Sequence, residues 1–292
     1  MMTRSRSTGF TLIEAIMVIV ITGILAGIVA VFITKPVEGY VDAVRRAELT
    51  DAADVALRRI TRDVRLALPN SLRVMSSGGV NYIEFIMTQS GGRYRDPADG
   101  STGGDFLSFT DTTDLTFNVL GTPPLMAAND YTVVYNLGEG YNPASAYNYD
   151  ASTDACRVGG CNIARISSAG ATVTLTKNPF ANQSPPLPSP SSRFQVVPGG
   201  VRAVTYACPV GTATTGTPGE LTRYWNYGFN VAQPTTFAVG TPSALLATGN
   251  RCTIDYTSSA TGRNGLLYIS LTLTSGGESV TLFQQIHVDN SP

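Results

Sequence analysis

Apolar residues run from Phe10 to Ile33, with polar side chains only at Thr11, Glu14 and Thr22. At about 1.5 Å per residue, a helix over that stretch reaches about 36 Å, enough to cross a bilayer. From Leu49 the pattern changes. Leu49, Ala53, Ala56, Leu57, Ile60, Val64, Ala67 and Leu68 follow the spacing of one helical face, with Asp51, Asp54, Arg58, Arg62 and Arg65 opposite. This predicts a helix continuing from Val37 to Leu68, stopped by Pro69-Asn70, with its apolar face under a sheet. Asp54 with Arg58, and Arg59 with Asp63, are spaced to pair on a solvated face.

Between Pro36 and Glu48 the stripe breaks down, because Asp42, Arg45 and Arg46 point around the axis. That portion is expected to stand clear of its own domain and touch other subunits. Pro36 removes a helical hydrogen bond and predicts a bend, with slack from Gly39.

Beyond Pro69 the periodicity is that of strands. They are predicted at 82–87, 115–120, 131–137, 172–177, 201–208, 221–227, 252–256, 266–274 and 279–288. The last two read as a hairpin: Leu267, Ile269, Leu271 and Leu273 alternate with polar or aromatic residues, and Ser275-Gly276-Gly277-Glu278 turns the chain. Loops are expected at 90–105, 138–154 and the proline-rich 179–192, the last read as a surface loop within one domain.

Charge adds orientation. Arg4 and Arg6 precede the apolar run, so the short side stays cytoplasmic and the chain after Lys35 crosses the membrane. A secretory signal would place its cleavage site after the apolar run; here Gly9 stands before it. Glu14 lies in the hydrocarbon zone at a cost of about 2.5–3.5 kcal/mol, which marks either a functional partner or a plain signal anchor whose glutamate stays wet.

Gly9-Phe10-Thr11-Leu12-Ile13-Glu14 and the apolar run resemble the signature of type IV prepilins and type II secretion pseudopilins. The resemblance implies cleavage between Gly9 and Phe10 by prepilin peptidase, methylation of the Phe10 amine, and a salt pair between Glu14 and the Phe10 amine of a neighbouring subunit. Two opposite charges relieve each other's desolvation only when brought together. The stretch from Pro36 to Arg65, with its Arg-Arg and Arg-Asp-Val-Arg elements, is most similar to the MshO-type minor pilins of MSHA pilus biogenesis.

The fold class expected is α+β: a long pilin helix packed on a β-rich, loop-rich head with antiparallel sheet. The divisions are a cleaved leader at 1–9, a transmembrane and assembly helix at 10–34, an amphipathic helix at 35–68, and an exported head at 69–292. The function implied is that of a minor pilin initiating or capping a filament, at or near the tip because the head is bulky beside its stem. A tip adhesin for a surface glycan or protein, and a secretion pseudopilin, are the alternatives. Partners implied are other pilins, the peptidase and the inner-membrane assembly platform.

Without the leader the chain carries 18 basic and 21 acidic side chains, a net charge of −3 (20 − 2 against 21). No basic patch for nucleic acid is evident. Four cysteines in an exported domain predict disulfides. Cys156 and Cys161 bracket a short glycine-containing loop, which leaves Cys208 with Cys252; a zinc site lacks the C-x-x-C spacing. Enzyme motifs are missing, and the lone His287 reads as a structural strand residue. No cofactor is expected apart from a weak calcium candidate at Asp96, Asp99 and Asp105, with Asp111 and Asp114 nearby. Tyr141, Tyr147, Tyr149, Tyr224, Trp225 and Tyr227 are candidate stacking surfaces or core.

Overall fold

The computed structural model describes residues 9–97, 103–210, 219–258 and 264–292. It divides into two compact units, Met1–Glu48 and Leu49–Pro292. One helix, α1 (Leu12–Arg65), supplies nearly all of the first unit and the opening of the second. The architecture is α+β, with a long N-terminal apolar helix and an antiparallel β head.

From Leu12 to Ile33 α1 is apolar on all sides apart from Glu14 and Thr22, and every described residue up to Val41 is exposed. Phe10 is 81% and Phe32 78% exposed. A helix that is apolar all round requires a lipid or protein environment. Its threonines do not break this character, because Thr22 donates to the carbonyls of Val18 and Ile19, and Thr34 to that of Ala30. The helix continues through Pro36.

In the second unit Ala53, Ala56, Leu57, Ile60 and Val64 are buried in one cluster with Ile83, Phe85, Val204, Leu267, Ile269, Leu271 and Leu273. These strand residues belong to a seven-stranded sheet ordered β1-β2-β11-β12-β13-β14-β15, antiparallel throughout. The strands are β1 (Arg73–Ser77), β2 (Val80–Ile86), β11 (Ala203–Pro209), β12 (Gly219–Trp225), β13 (Ser243–Ser258), β14 (Asn264–Ser275) and β15 (Glu278–Asp289). The final hairpin turns on Gly276 and Gly277 at φ of 57° and 88°, both in the left-handed region that side chains avoid.

α1 ends at Arg65, three residues before the predicted stop. Leu68 donates its amide to Ile86, Thr88 donates to Leu66, and Ala67 bridges Met87, so the sheet takes over the backbone while Leu68 is buried. Leu68 therefore joins the core from an extended segment, and Pro69-Asn70 is a turn already outside the helix.

Residues 90–197 form a second, six-stranded sheet inserted between β2 and β11, ordered β3-β10-β5-β8-β9-β4. These strands are β3 (Ser90–Arg93), β4 (Thr116–Asn118), β5 (Tyr131–Val133), β8 (Ile163–Ser168), β9 (Thr172–Leu175) and β10 (Arg193–Val197); β6 (Tyr149–Asp150) and β7 (Ala155–Cys156) make a small ladder beside them. The loop expected at 90–105 therefore begins as a strand. A side chain at Gly92 would meet the Phe194 ring at 2.9 Å, so the glycines that read as loop let Phe194 lie across β3. The proline-rich 179–192 segment joins β9 to β10 inside this sheet. A third cluster, including Leu68, Ile86, Tyr131, Tyr147, Tyr149 and Phe229, joins the two sheets.

Candidate assembly segment and the polar anchors of the head

Gly9 is exposed ahead of the helix, and Phe10 follows it into solvent. Thr11 precedes the first helical residue, and its Oγ1 accepts the Glu14 amide at 3.4 Å. Thr11-x-x-Glu14 is thus half of a capping box: the hydroxyl satisfies one orphan amide and sets the carboxylate in the first turn. Nothing among the described residues pairs with that carboxylate. Farther along, Lys35 with Glu38 at 3.8 Å forms an exposed pair and Arg45 with Asp42 at 3.5 Å a half-buried one.

The head treats its carboxylates differently. Asp63 is 2% exposed, on the buried face of α1. It accepts from Tyr206 Oη at 2.7 Å and from Arg223 Nε at 2.8 Å, and lies 3.3 Å from Arg59. Burial and the adjacent Asp63 carboxylate push the Tyr206 hydroxyl up, keeping it protonated as a donor. The Arg59 pairing is present, yet Asp63 is an inward anchor between helix and sheet rather than part of a solvated face. Asp54 and Arg58, at 2.7 Å, do form an exposed pair.

A second anchor centres on Arg73 and Glu84, neighbours across β1 and β2 at 2.8 Å. Arg73 also donates to the Val231 and Asn230 carbonyls, meets Glu139 at 3.1 Å and lies over the Tyr147 ring at 3.8 Å. Tyr227 donates to Glu84 at 2.9 Å. Burial pushes the Glu84 carboxyl up to about 7, against the pull of Arg73 and the Tyr227 hydroxyl. Tyr147 also donates to the Ser71 carbonyl, while Asn70 and Asn136 exchange side-chain bonds with each other's neighbourhood across the two sheets.

Cys156 is bonded to Cys161, with Cα atoms 5.3 Å apart, and Cys208 to Cys252 at 5.8 Å. The first closes the loop after β7; the second links β11 to β13, two strands apart in the sheet. Asp96 and Asp105 are described, whereas Asp99 lies outside the described residues. Among the described residues no three carboxylates, histidines or cysteines gather as a metal-holding group. Asp111 and Asp114 accept amides of Thr113 and Thr116 in tight turns.

Tyr147 and Tyr149 are core residues, not stacking surfaces; Tyr149 packs on Tyr131 and Phe229. Tyr224 is stacked on Phe237 at 4.1 Å, and Arg223 lies over Trp225. Tyr141 is exposed. His287 lies on the exposed face of β15.

The sequence reading missed Asp63 as an anchor although a signal was there. It falls seven residues after Ala56 and three after Ile60, inside the apolar stripe. Arg59, four residues earlier, made an exposed pair the simpler account.

The family model for the prokaryotic N-terminal methylation motif matches residues 4–30. No curated protein and no solved structure matches the chain. Together with a helix long and apolar enough to cross a membrane, the motif indicates a type IV pilin-like prepilin. It implies a membrane-anchored structural subunit, processed by prepilin peptidase and assembled with other pilins.

Proposed function

We propose that the chain is a minor pilin that initiates or caps a filament of the MSHA type, with its head at or near the tip. The observation that carries this reading is the pairing of an exposed apolar helical run, Leu12 to Ile33, with a carboxylate in its first turn that has no partner among the described residues. Cleavage between Gly9 and Phe10 would create a new amine four residues from Glu14, and methylation would leave it charged. A carboxylate in an apolar layer is costly alone and far less so beside a cation, so Glu14 docks a subunit where a neighbour presents its Phe10 amine. The portion of α1 up to Glu48, which runs through Pro36, serves as the packing stem, and the head supplies the specific contacts.

Glu14→Leu tests the pairing. The variant should still be cut and methylated, as read by mass spectrometry of the mature N-terminus, while filament number falls at least about tenfold, as expected for a docking pair worth 1.4 kcal/mol or more. Normal piliation by that variant would remove the salt-pair role. Immunogold labelling of the head tests the location: label at one end supports the tip, and label along the shaft rejects it.

A further inference from the structure

We propose that the outer edge of β15, together with the arginine-lined groove beside it, accepts an extended acidic segment of a partner protein as an added strand. The surface lies wholly in the head and is separate from the Glu14 docking segment, wherever the subunit sits in a filament.

The seven-stranded sheet ends on β15, which is 12 residues and about 40 Å long. Ser275 and Glu278 face each other across a two-residue turn, a pair joined by backbone bonds, and from there bonded and non-bonded pairs alternate along the hairpin. Ser279, Thr281, Phe283, Gln285 and His287 therefore turn their amides and carbonyls away from β14. The hydroxyls of Thr272 and Thr281 agree, meeting at 2.8 Å, because side chains come closest in the non-bonded pairs. Among the described residues the only bond these outward backbone groups receive runs from the Gln284 side chain to the Gln285 carbonyl, at 3.4 Å.

Edges of this kind are ordinarily protected by charge, proline, a bulge or brevity. β15 has none of these: Ser279 to Val288 holds no proline, lysine, arginine or carboxylate, and the register with β14 runs unbroken. Phe283 stands 69% exposed near its centre. The opposite edge of the same sheet, β1, is only five residues long.

The groove specifies the occupant. Arg58, Thr61, Arg62, Arg65 and Leu66, at the end of α1 and just beyond it, face Gln284 across about 380 Å³. Arg58 is paired with Asp54, but Arg62 and Arg65 are exposed and have no partner among the described residues. Gln284 shares the helix-side face of β15 with Leu282 and Ile286, so every second side chain of an added strand points toward those arginines. Carboxylates at these positions answer the two cations, and apolar residues between them lie beside Phe283. A second copy of β15 fits poorly, since pairing about the centre of the strand sets one arginine group against the other.

The test uses the full chain in non-ionic detergent and fluorescence anisotropy with short labelled peptides of alternating valine–glutamate, valine–lysine and proline–glutamate. The valine–glutamate peptide should bind at least about tenfold more tightly than either control, one having the wrong charge and the other lacking amides for pairing. Gln285→Pro removes an outward amide that β14 does not use; the fold, read by circular dichroism, should persist while affinity falls at least about tenfold. Arg62→Gln combined with Arg65→Gln changes only exposed side chains, and should lower affinity about tenfold and flatten its salt dependence, which keeps the test decisive should the proline variant unfold. No binding of the valine–glutamate peptide, equal binding of either control, or affinity unchanged in the arginine double variant or in folded Gln285→Pro would each overturn the proposal. So would a dimer of the chain, seen by sedimentation, that Gln285→Pro dissolves.

Discussion

Glu14 and Asp63 are two carboxylates set in apolar stretches of the same helix, and their surroundings differ completely. Around Glu14 the helix is exposed on every side, and nothing among the described residues answers its charge. Around Asp63 the head supplies Tyr206, Arg223 and Arg59. An identical requirement, that a desolvated carboxylate be paired, is met inside the chain at Asp63. At Glu14 no described residue meets it, which is what the proposed docking role would use. The second region is self-sufficient in this respect and the first is not.

The sharpest way to break this comparison is Asp63→Ala. Arg223 would be left buried without its charge partner, and the head should lose about 3–5 kcal/mol of unfolding free energy, the usual cost of breaking a buried pair. Chemical denaturation of the full chain in detergent reads this directly. A loss below about 1 kcal/mol would place Asp63 with surface pairs and dissolve the distinction.

Glu84 sharpens the comparison from the sheet side, since it is buried with a partner yet has a folded-state pKa of about 7 against the ordinary 4.5. The sign follows from linkage. A group whose pKa is raised on folding contributes stability that is fully present below 4.5 and is lost as pH rises through about 7. Arg73, Glu139, Tyr227 and Tyr147 face it, and only Arg73 among them is cationic. The head should therefore be more stable near pH 5 than near pH 8, by at most about 3 kcal/mol for this group, and Glu84→Gln should flatten the profile. Equal denaturation midpoints at the two pH values in the parent chain would show that Arg73 fully offsets the burial.

The contrast also explains what was legible in the sequence. The apolar run, the stripe of Ala53, Ala56, Leu57, Ile60 and Val64, and the alternation of Leu267, Ile269, Leu271 and Leu273 are periodic, and each emerged as the expected element. Periodicity is carried by side chains, so elements built on other causes escaped it. β3 is Ser90-Gly-Gly-Arg93, a strand because β10 needs an edge beside Phe194. α1 stops at Arg65 because β2 offers Leu68 a better backbone partner than another helical turn. The whole second sheet depends on pairings such as Arg193 with Arg93, about 100 residues apart, that local patterning does not encode.

The mildest test concerns Asp54 and Arg58, which lie on the face of the helix away from the sheet and show how little a carboxylate needs when water is present. Their contact, at 2.7 Å, is as short as the one Asp63 makes with Tyr206, yet Arg58 is 79% exposed. Distance alone would rank the two alike; burial separates them. In water each partner is already solvated, so bringing them together replaces good interactions with others of nearly equal strength, and ordering two flexible side chains opposes the gain. Arg58→Ala should leave the denaturation midpoint unchanged within experimental error, at low and at high salt. A shift comparable to that of Asp63→Ala would mean that the charge itself, rather than its removal from water, sets the strength of the anchor.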